Sequence, residues 1–282
     1  DSGSSTSFLV FMRSEDGGQS WEAIQGPSFD YFNPTDIAIA PTEPEAIYVC
    51  GMKGRTIGIR LMTEGALLKS VDGGSTWSDI SDSVTAAGDS YYQAVAVDPA
   101  EPERIYLAMS DGFRYSTDAG TTWNRSRTAV RAARGAITID PSDSSRILVG
   151  GSDLVQISTD SGKTWSPPRS RIDGSVQHIA VCPSDSSILY VSTYIGLYKS
   201  TDSGESWTTA HKGIFNTTVP TIALAPSDPS IVYSEHQGLG VIASTDSGTT
   251  WEEKRKFTDC GNVLALLVHG SDPKNIVALT GG

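Results

Sequence analysis

The chain has 282 residues and a formal net charge of −12, with 38% hydrophobic residues, 28 glycines and 14 prolines. That length fits one large domain or two small ones, and the turn-forming residues suit an all-β protein. No apolar run approaches the roughly 18–20 residues of a membrane helix, and the acidic total speaks against nucleic acid as a partner.

The three cysteines, Cys50, Cys182 and Cys260, lack CxxC spacing and are odd in number, which argues against both a zinc site and a disulfide framework. Cys50 and Cys182 close apolar runs and read as buried packing. Cys260 lies in a loop and is the most reactive of the three on this reading. The four histidines are scattered, so neither a metal nor a cofactor is expected.

From the N-terminus, Asp1 to Ser7 is polar and Ser-rich and reads as a flexible tether left by processing. A strand follows over Phe8 to Arg13. Then comes the first copy of an eight-residue box, Ser14 to Trp21, repeated at Ser70–Trp77, Ser116–Trp123, Ser158–Trp165, Ser200–Trp207 and Ser244–Trp251. Each copy has Asp two residues after the Ser, Gly two further and Trp three beyond that. Together the copies use all six tryptophans of the chain. The Asp carboxylate suits backbone N–H groups ahead of it, the Gly supplies a positive φ, and the Trp returns to the core with one N–H that needs a partner. The box is a turn between two strands.

Between boxes the same strands recur. In one repeat, Gln177–Cys182 and Ile188–Thr193 are apolar strands, Gly196–Ser200 leads into the box, and Trp207–Ala210 starts an outer strand. The first two strands recur over Asp36–Cys50, Gln93–Met109, Ala136–Gly150, Thr221–Ser234 and Asn262–Leu279. One repeat departs from this pattern: Gly51 to Glu64 reads as a longer loop carrying Lys53, Arg55 and Arg60. Extra length of this kind usually maps to the working face of a repeat protein.

The box resembles the Asp-box, or bacterial neuraminidase repeat, over nearly the whole chain. Families that carry it include sialidases, xyloglucan-degrading glycosidases, sortilin-type receptors and photosystem II assembly factors. The resemblance implies a β-propeller of four-stranded antiparallel blades, strands A to D from inside to outside, with the box as the C–D turn at the outer edge. The box aspartates and tryptophans (Asp16, Trp21, Asp72, Trp77, Asp118, Trp123, Asp160, Trp165, Asp202, Trp207, Asp246 and Trp251) are then structural and say little about function. Six boxes and six A/B pairs make six blades in a single domain spanning 1–282. The N-terminus supplies only C and D strands and the C-terminus only A and B, so the two ends complete one composite blade and close the ring.

Propeller topology puts the A–B and C–D turns on one face and the B–C and D–A connections on the other. Sorted this way, acids gather on the box face, while 13 of the 21 Lys and Arg fall on the opposite one. The candidate partner-binding cations are Lys53, Arg55, Arg60, Arg125, Arg127, Arg131, Arg134, Arg169, Arg171, Lys254, Arg255 and Lys256. Tyr31, Phe32, Tyr91 and Tyr92 join them as loop aromatics on the same face. Solvated loop charges and aromatics packed under loops are the plain alternative. The functional reading is a docking surface, because a one-sign patch steers an oppositely charged partner and Arg suits bidentate recognition of carboxylates.

Catalysis finds little support in the residues. The Arg-Ile-Pro-type motif of sialidases does not occur, and the acids Asp30, Asp36 and Glu64 form no pair that can be placed at glycosidase separation. No catalytic residue is assigned. The expected function is a non-catalytic, extracytoplasmic (periplasmic or secreted) interaction module. It would be an accessory, scaffold or assembly subunit docked by its basic loops on a larger protein complex, with membrane and photosynthetic complexes as candidates. The alternatives are a sialidase-like or other glycoside hydrolase and a lectin for an anionic glycan.

Overall fold

The computed structural model describes residues 7–13, 22–29, 31–57, 60–84, 91–127, 136–167, 169–212, 221–236, 240–255, 263–268, 272–274 and 276–280. The chain divides into two compact units, residues 1–131 and 132–282. Both are built from antiparallel meanders. Apart from one 3-10 turn over Ser81–Ser83, every regular element described is a strand.

The first unit opens with β1 (Ser7–Arg13) paired to β2 (Glu22–Phe29). A four-stranded sheet follows, made of β3 (Tyr31–Ala40), β4 (Glu43–Ile57), β5 (Arg60–Ser70) and β6 (Ser78–Asp79). A second contains β7 (Tyr92–Val97), β8 (Ile105–Met109), β9 (Gly112–Ser116) and β10 (Asn124–Arg125). Leu67 from one sheet and Val95, Ile105, Leu107 and Met109 from the other form their shared core.

In the second unit, β11 (Ile137–Asp140), β12 (Asp143–Gly150) and β13 (Val155–Ser158) make a three-stranded sheet. The next sheet has four strands: β14 (Val176–Val181), β15 (Leu189–Thr193), β16 (Gly196–Ser200) and β17 (Thr208–Thr209). So does the one after, with β18 (Ile222–Ala225), β19 (Asp228–His236), β20 (Gly240–Ser244) and β21 (Glu252–Arg255). The pair β22 (Val263–Val268) and β23 (Ile276–Thr280) completes the unit. The middle strands β8 and β15 are mostly apolar because both of their faces are covered: every residue of each is buried. Outer strands run only two to four residues and are polar, which keeps the exposed sheet edges short.

The boxes explain how successive sheets hold together. In Ser200–Trp207, Ser200 Oγ accepts the Gly204 N–H at 2.8 Å and donates to Asp202 Oδ1 at 2.7 Å. Asp202 accepts the Ser206 N–H at 2.9 Å and the Ser206 hydroxyl at 2.5 Å. The same four bonds recur around Asp72, Asp118, Asp160 and Asp246. Hydrogen-bond donors that favour the ionised carboxylate hold Asp202 and Asp246 at a pKa of about 2. The turn needs two left-handed residues in succession. Gly204 (φ 90°) is one, and Ser203 (φ 63°) is the other.

That strained residue has a purpose. Its N–H donates back to the first turn of its own sheet, as Ser203 does to Ser187 O at 2.9 Å. Its carbonyl is taken by a cation of the preceding sheet: Lys69 Nζ reaches Ala119 O at 2.9 Å, Arg146 Nη2 reaches Ser203 O at 3.4 Å, and Lys199 Nζ reaches Ser247 O at 3.2 Å. The tryptophans cross the same seams. Trp123 Nε1 donates to Ser83 Oγ at 3.1 Å and Trp251 Nε1 to Ala210 O at 2.9 Å. The boxes around Asp118, Asp202 and Asp246 therefore fasten their sheets to the ones before them.

Several sequence expectations change. Within the expected loop Gly51–Glu64, residues 51–57 and 60–64 continue β4 and β5 as one long hairpin, in register from Cys50↔Leu67 to Ile57↔Arg60. Tyr31 and Phe32 are not in a loop either but open β3, opposite Gly54 and Lys53 of that hairpin. Tyr92 lies in β7, 3% exposed, with its carbonyl accepting the Thr35 hydroxyl. Arg125, Lys254 and Arg255, expected in D–A loops, sit on the outer strands β10 and β21, where a solvated edge accommodates charge. Ser7, expected to end a tether, is the first residue of β1. The first box, with Asp16 and Trp21, lies outside the described residues.

Two outcomes follow. Replacing Ser200 by Ala leaves the half-buried Gly204 N–H without its acceptor, a loss of about 1 kcal/mol, read as a lower thermal midpoint, while Thr201→Ala on the exposed neighbouring position leaves the midpoint unchanged. Glu235 is buried on β19, and that burial raises its carboxyl from 4.5 to about 7. Below pH 4.5 the folded and unfolded chains are both protonated there. Between pH 4.5 and 7 only the unfolded chain loses the proton, so stability falls across that window and is level above it. Glu235→Gln removes this component, so the thermal midpoint of wild type falls relative to that of the variant between pH 4.5 and pH 8.

Candidate interaction surfaces

The long hairpin is the largest departure from the repeating sheet. β4 has 15 residues and β5 has 11, against four to nine in the matching strands of the other sheets. Its register places Arg55 opposite Met62 and Ile57 opposite Arg60. Leu61 and Met62 are 47% and 43% exposed. Lys53, at the base, is neutralised: its ammonium lies 2.7 Å from Asp79 Oδ2 and 3.6 Å from Glu64 Oε1.

Four other described cations are also engaged locally. Arg125 Nη2 donates to Asp111 O at 3.1 Å. Arg171 pairs with Asp153 at 2.8 Å, and Lys254 with Glu252 at 2.9 Å. Arg127 is exposed. Arg169 pairs with Glu205, a residue of the following box. It was expected on the face away from the boxes, whereas its pair with Glu205 places it against a box. Exposed pairs of this type contribute little to stability and exchange partners readily, so they remain usable by an acidic ligand. Arg131, Arg134 and Lys256 lie outside the described residues, and for Arg55, Arg60 and Arg255 the strand placement alone is described.

Of the aromatics, Tyr91 is 43% exposed, whereas Tyr31 and Phe32 are half-buried along β3. Tyr92 is a core residue. The cations that sequence reasoning passed over, Lys69, Arg146 and Lys199, turn out to bind the sheets together. The signal was available for two of them, because Lys69 and Lys199 stand directly before a box Ser and opposite Tyr48 and Tyr190. Their ammonium groups lie 5.6 and 5.4 Å from those rings.

The titratable groups with raised pKa serve the fold. Burial pushes Asp36 up to about 6, against two backbone donors that favour the anion. Its carboxylate accepts the N–H of Val95 at 3.0 Å and of Ile37 at 2.9 Å, tying β3 to β7. Cys50 is buried beside the Thr35 hydroxyl at 3.3 Å, and burial pushes its thiol well above the ordinary range. Cys182 is buried as well, whereas Cys260 and Asp30 lie outside the described residues. Among the described residues no group of His, Cys, Asp and Glu is arranged to hold a metal ion, and no helix is long and apolar enough to cross a membrane.

Comparison with known proteins agrees with this architecture. A xyloglucanase from Acetivibrio thermocellus, Xgh74A, is 27% identical over 135 residues, 42% of this chain but 16% of that enzyme. Among solved structures, a GH74 enzyme of Niastella koreensis superposes with a TM-score of 0.66 at 21% identity, over 88% of this chain and 44% of that one. The structure described as YCF48 bound to D1 peptide superposes with a TM-score of 0.71 at 16% identity, over 96% of this chain and 84% of that one. At such identities the superpositions speak for the fold, an Asp-box β-propeller. The family described as photosynthesis system II assembly factor YCF48 matches residues 7–281, and the chain belongs to that family.

Proposed function

We propose that this protein is a non-catalytic, extracytoplasmic interaction module, an accessory or assembly subunit that docks on a larger complex. The observation that carries the reading is membership, over residues 7–281, of a family described as an assembly factor. A relative in that fold has been solved with a peptide bound, which supports a polypeptide as the partner. A membrane-embedded or photosynthetic complex is the partner class this reading favours. The six boxes and the strand pairs at each end support a six-bladed ring in one domain, with β22 and β23 completing a blade begun by β1 and β2.

Docking runs through the basic elements. The β4–β5 hairpin brings Arg55 and Arg60 beside exposed Leu61 and Met62, a combination of charge and apolar surface that suits an acidic protein partner. Arg125, Arg127, Arg171 and Lys254 add exposed cations, and Arg131, Arg134, Arg255 and Lys256 extend the set by sequence.

A glycoside hydrolase is the second reading, favoured by the xyloglucanase match. It requires two carboxyl groups poised about a sugar. The acids with raised pKa are buried or committed to backbone N–H groups instead, and the box aspartates are saturated with donors.

The test is a mild-detergent pull-down from the native membrane fraction at low and raised salt. Co-purification of one complex, lost as salt screens the charges and reduced at least tenfold by Arg55→Glu with Arg60→Glu, is the expected result. Recovery of the protein free at low salt, or release of reducing ends from xyloglucan, would overturn it.

A further inference from the structure

One sheet of the second unit is missing its outer strand, and the reason is visible in the sequence. In three of the four complete sheets, the residue three positions after the box Trp donates its N–H to the strand entering the box. Ile80 donates to Leu67 O at 2.9 Å, Ser126 to Phe113 O at 3.0 Å, and Ala210 to Leu197 O at 2.7 Å. The following residue accepts in return in two of them: Leu67 N–H goes to Ser81 Oγ at 3.0 Å, and Leu197 N–H to His211 Nδ1 at 3.2 Å. After Trp165 those two positions are Pro168 and Arg169. Proline has no N–H, and a guanidinium has no acceptor.

The counterpart of Leu67 and Leu197 on β13, three residues before the box Ser, is Val155. Because Gly151 N–H bonds Leu154 O at 2.8 Å, the next pair, Gly150↔Val155, is of the non-hydrogen-bonded kind. Its N–H and C=O therefore point away from β12. Ser166 covers the neighbouring Ile157 O at 2.9 Å; the Val155 side chain is buried, but among the described residues no backbone group bonds its outward N–H or C=O. In front of it lies a groove of about 440 Å³, lined by Val155, Ile157, Trp165 and Pro167, with Arg169 and Glu205 at its polar side.

We propose that this open edge of β13 binds a short extended acidic segment of a partner protein, which supplies the missing outer strand. One residue of the segment donates its N–H to Val155 O, and the next accepts the Val155 N–H through a side-chain oxygen. A neighbouring carboxylate takes Arg169 from its exposed pair with Glu205. Main-chain pairing at an open edge provides affinity, and the apolar floor and the Arg select the side chains. The inference rests on reading the protein as an interaction module but does not involve the β4–β5 hairpin, so the two fail separately.

The probe is acetyl-Ser-Asp-Ile-Ser-Asp-amide, which copies residues 78–82 of the complete sheet. In the free protein, the Val155 amide is expected to exchange with solvent at least tenfold faster than those of Leu67 and Leu197. Millimolar peptide should slow it, and the same peptide N-methylated at Ile should bind at least tenfold more weakly. Pro168→Ile with Arg169→Ser lets the chain cover its own edge, so Val155 becomes as slow as Leu67 without peptide and the peptide no longer binds. Slow Val155 exchange in the free wild type would overturn the proposal. So would peptide binding that leaves Val155 exchange unchanged, or equal binding of the N-methylated peptide, a comparison that needs no protein variant.

Discussion

The structure depends on one repeated interaction, in which a serine hydroxyl and an aspartate carboxylate together fix a turn that holds two left-handed residues in a row. A non-glycine residue at φ near 60°, such as Ala119 at 55° or Ser247 at 59°, is costly on its own. It persists because the strained peptide is used at both ends. The N–H bonds the first turn of its own sheet, and the carbonyl is held by Lys69, Arg146 or Lys199 from the sheet before. The cost of the turn is offset by inter-sheet bonds that a relaxed turn would not aim correctly.

This arrangement explains why the box needs each of its letters. Glycine at the second left-handed position satisfies φ and also leaves room for the previous sheet: a Cβ on Gly204 would meet Ile157 at 3.0 Å, and one on Gly120 would meet Ile80 at 2.9 Å. The hydroxyl before Trp, at Thr76, Thr122, Thr164, Ser206 and Thr250, completes the carboxylate's set of donors. With both oxygens committed, the five described box aspartates are anchors of the fold.

Much of this was legible in the sequence, for a physical reason. The Ser-Asp-Gly-Trp spacing is a local code, since all of its main bonds span four residues or fewer. The apolar middle strands, such as Ile105–Met109, announce themselves by being continuous. The β4–β5 hairpin was misread because Gly51, Gly54 and Gly58 look like loop punctuation, whereas Gly51 and Gly54 serve close packing: a Cβ on Gly51 would meet Asn33 O at 2.4 Å. The charge sorting was partly misleading. Residue type shows where a cation stands along the chain, but not that Lys53 will fold onto Asp79 or Arg169 onto Glu205. Arg146, Lys69 and Lys199 looked like ordinary surface cations because their partners are carbonyls of the next sheet, more than 45 positions away.

The boxes around Asp118, Asp202 and Asp246 are joints between successive sheets and not decorations on them, and this role can be measured. Amide hydrogen exchange under native conditions addresses it most directly at Gly204 and Gly248, whose N–H groups bond Ser200 Oγ and Ser244 Oγ. Both are expected to exchange as slowly as the middle-strand amides of β15 and β19, through the same cooperative opening. Fast local exchange at the two glycines, with β15 and β19 still protected, would show that the boxes open without loosening the sheets and would contradict it.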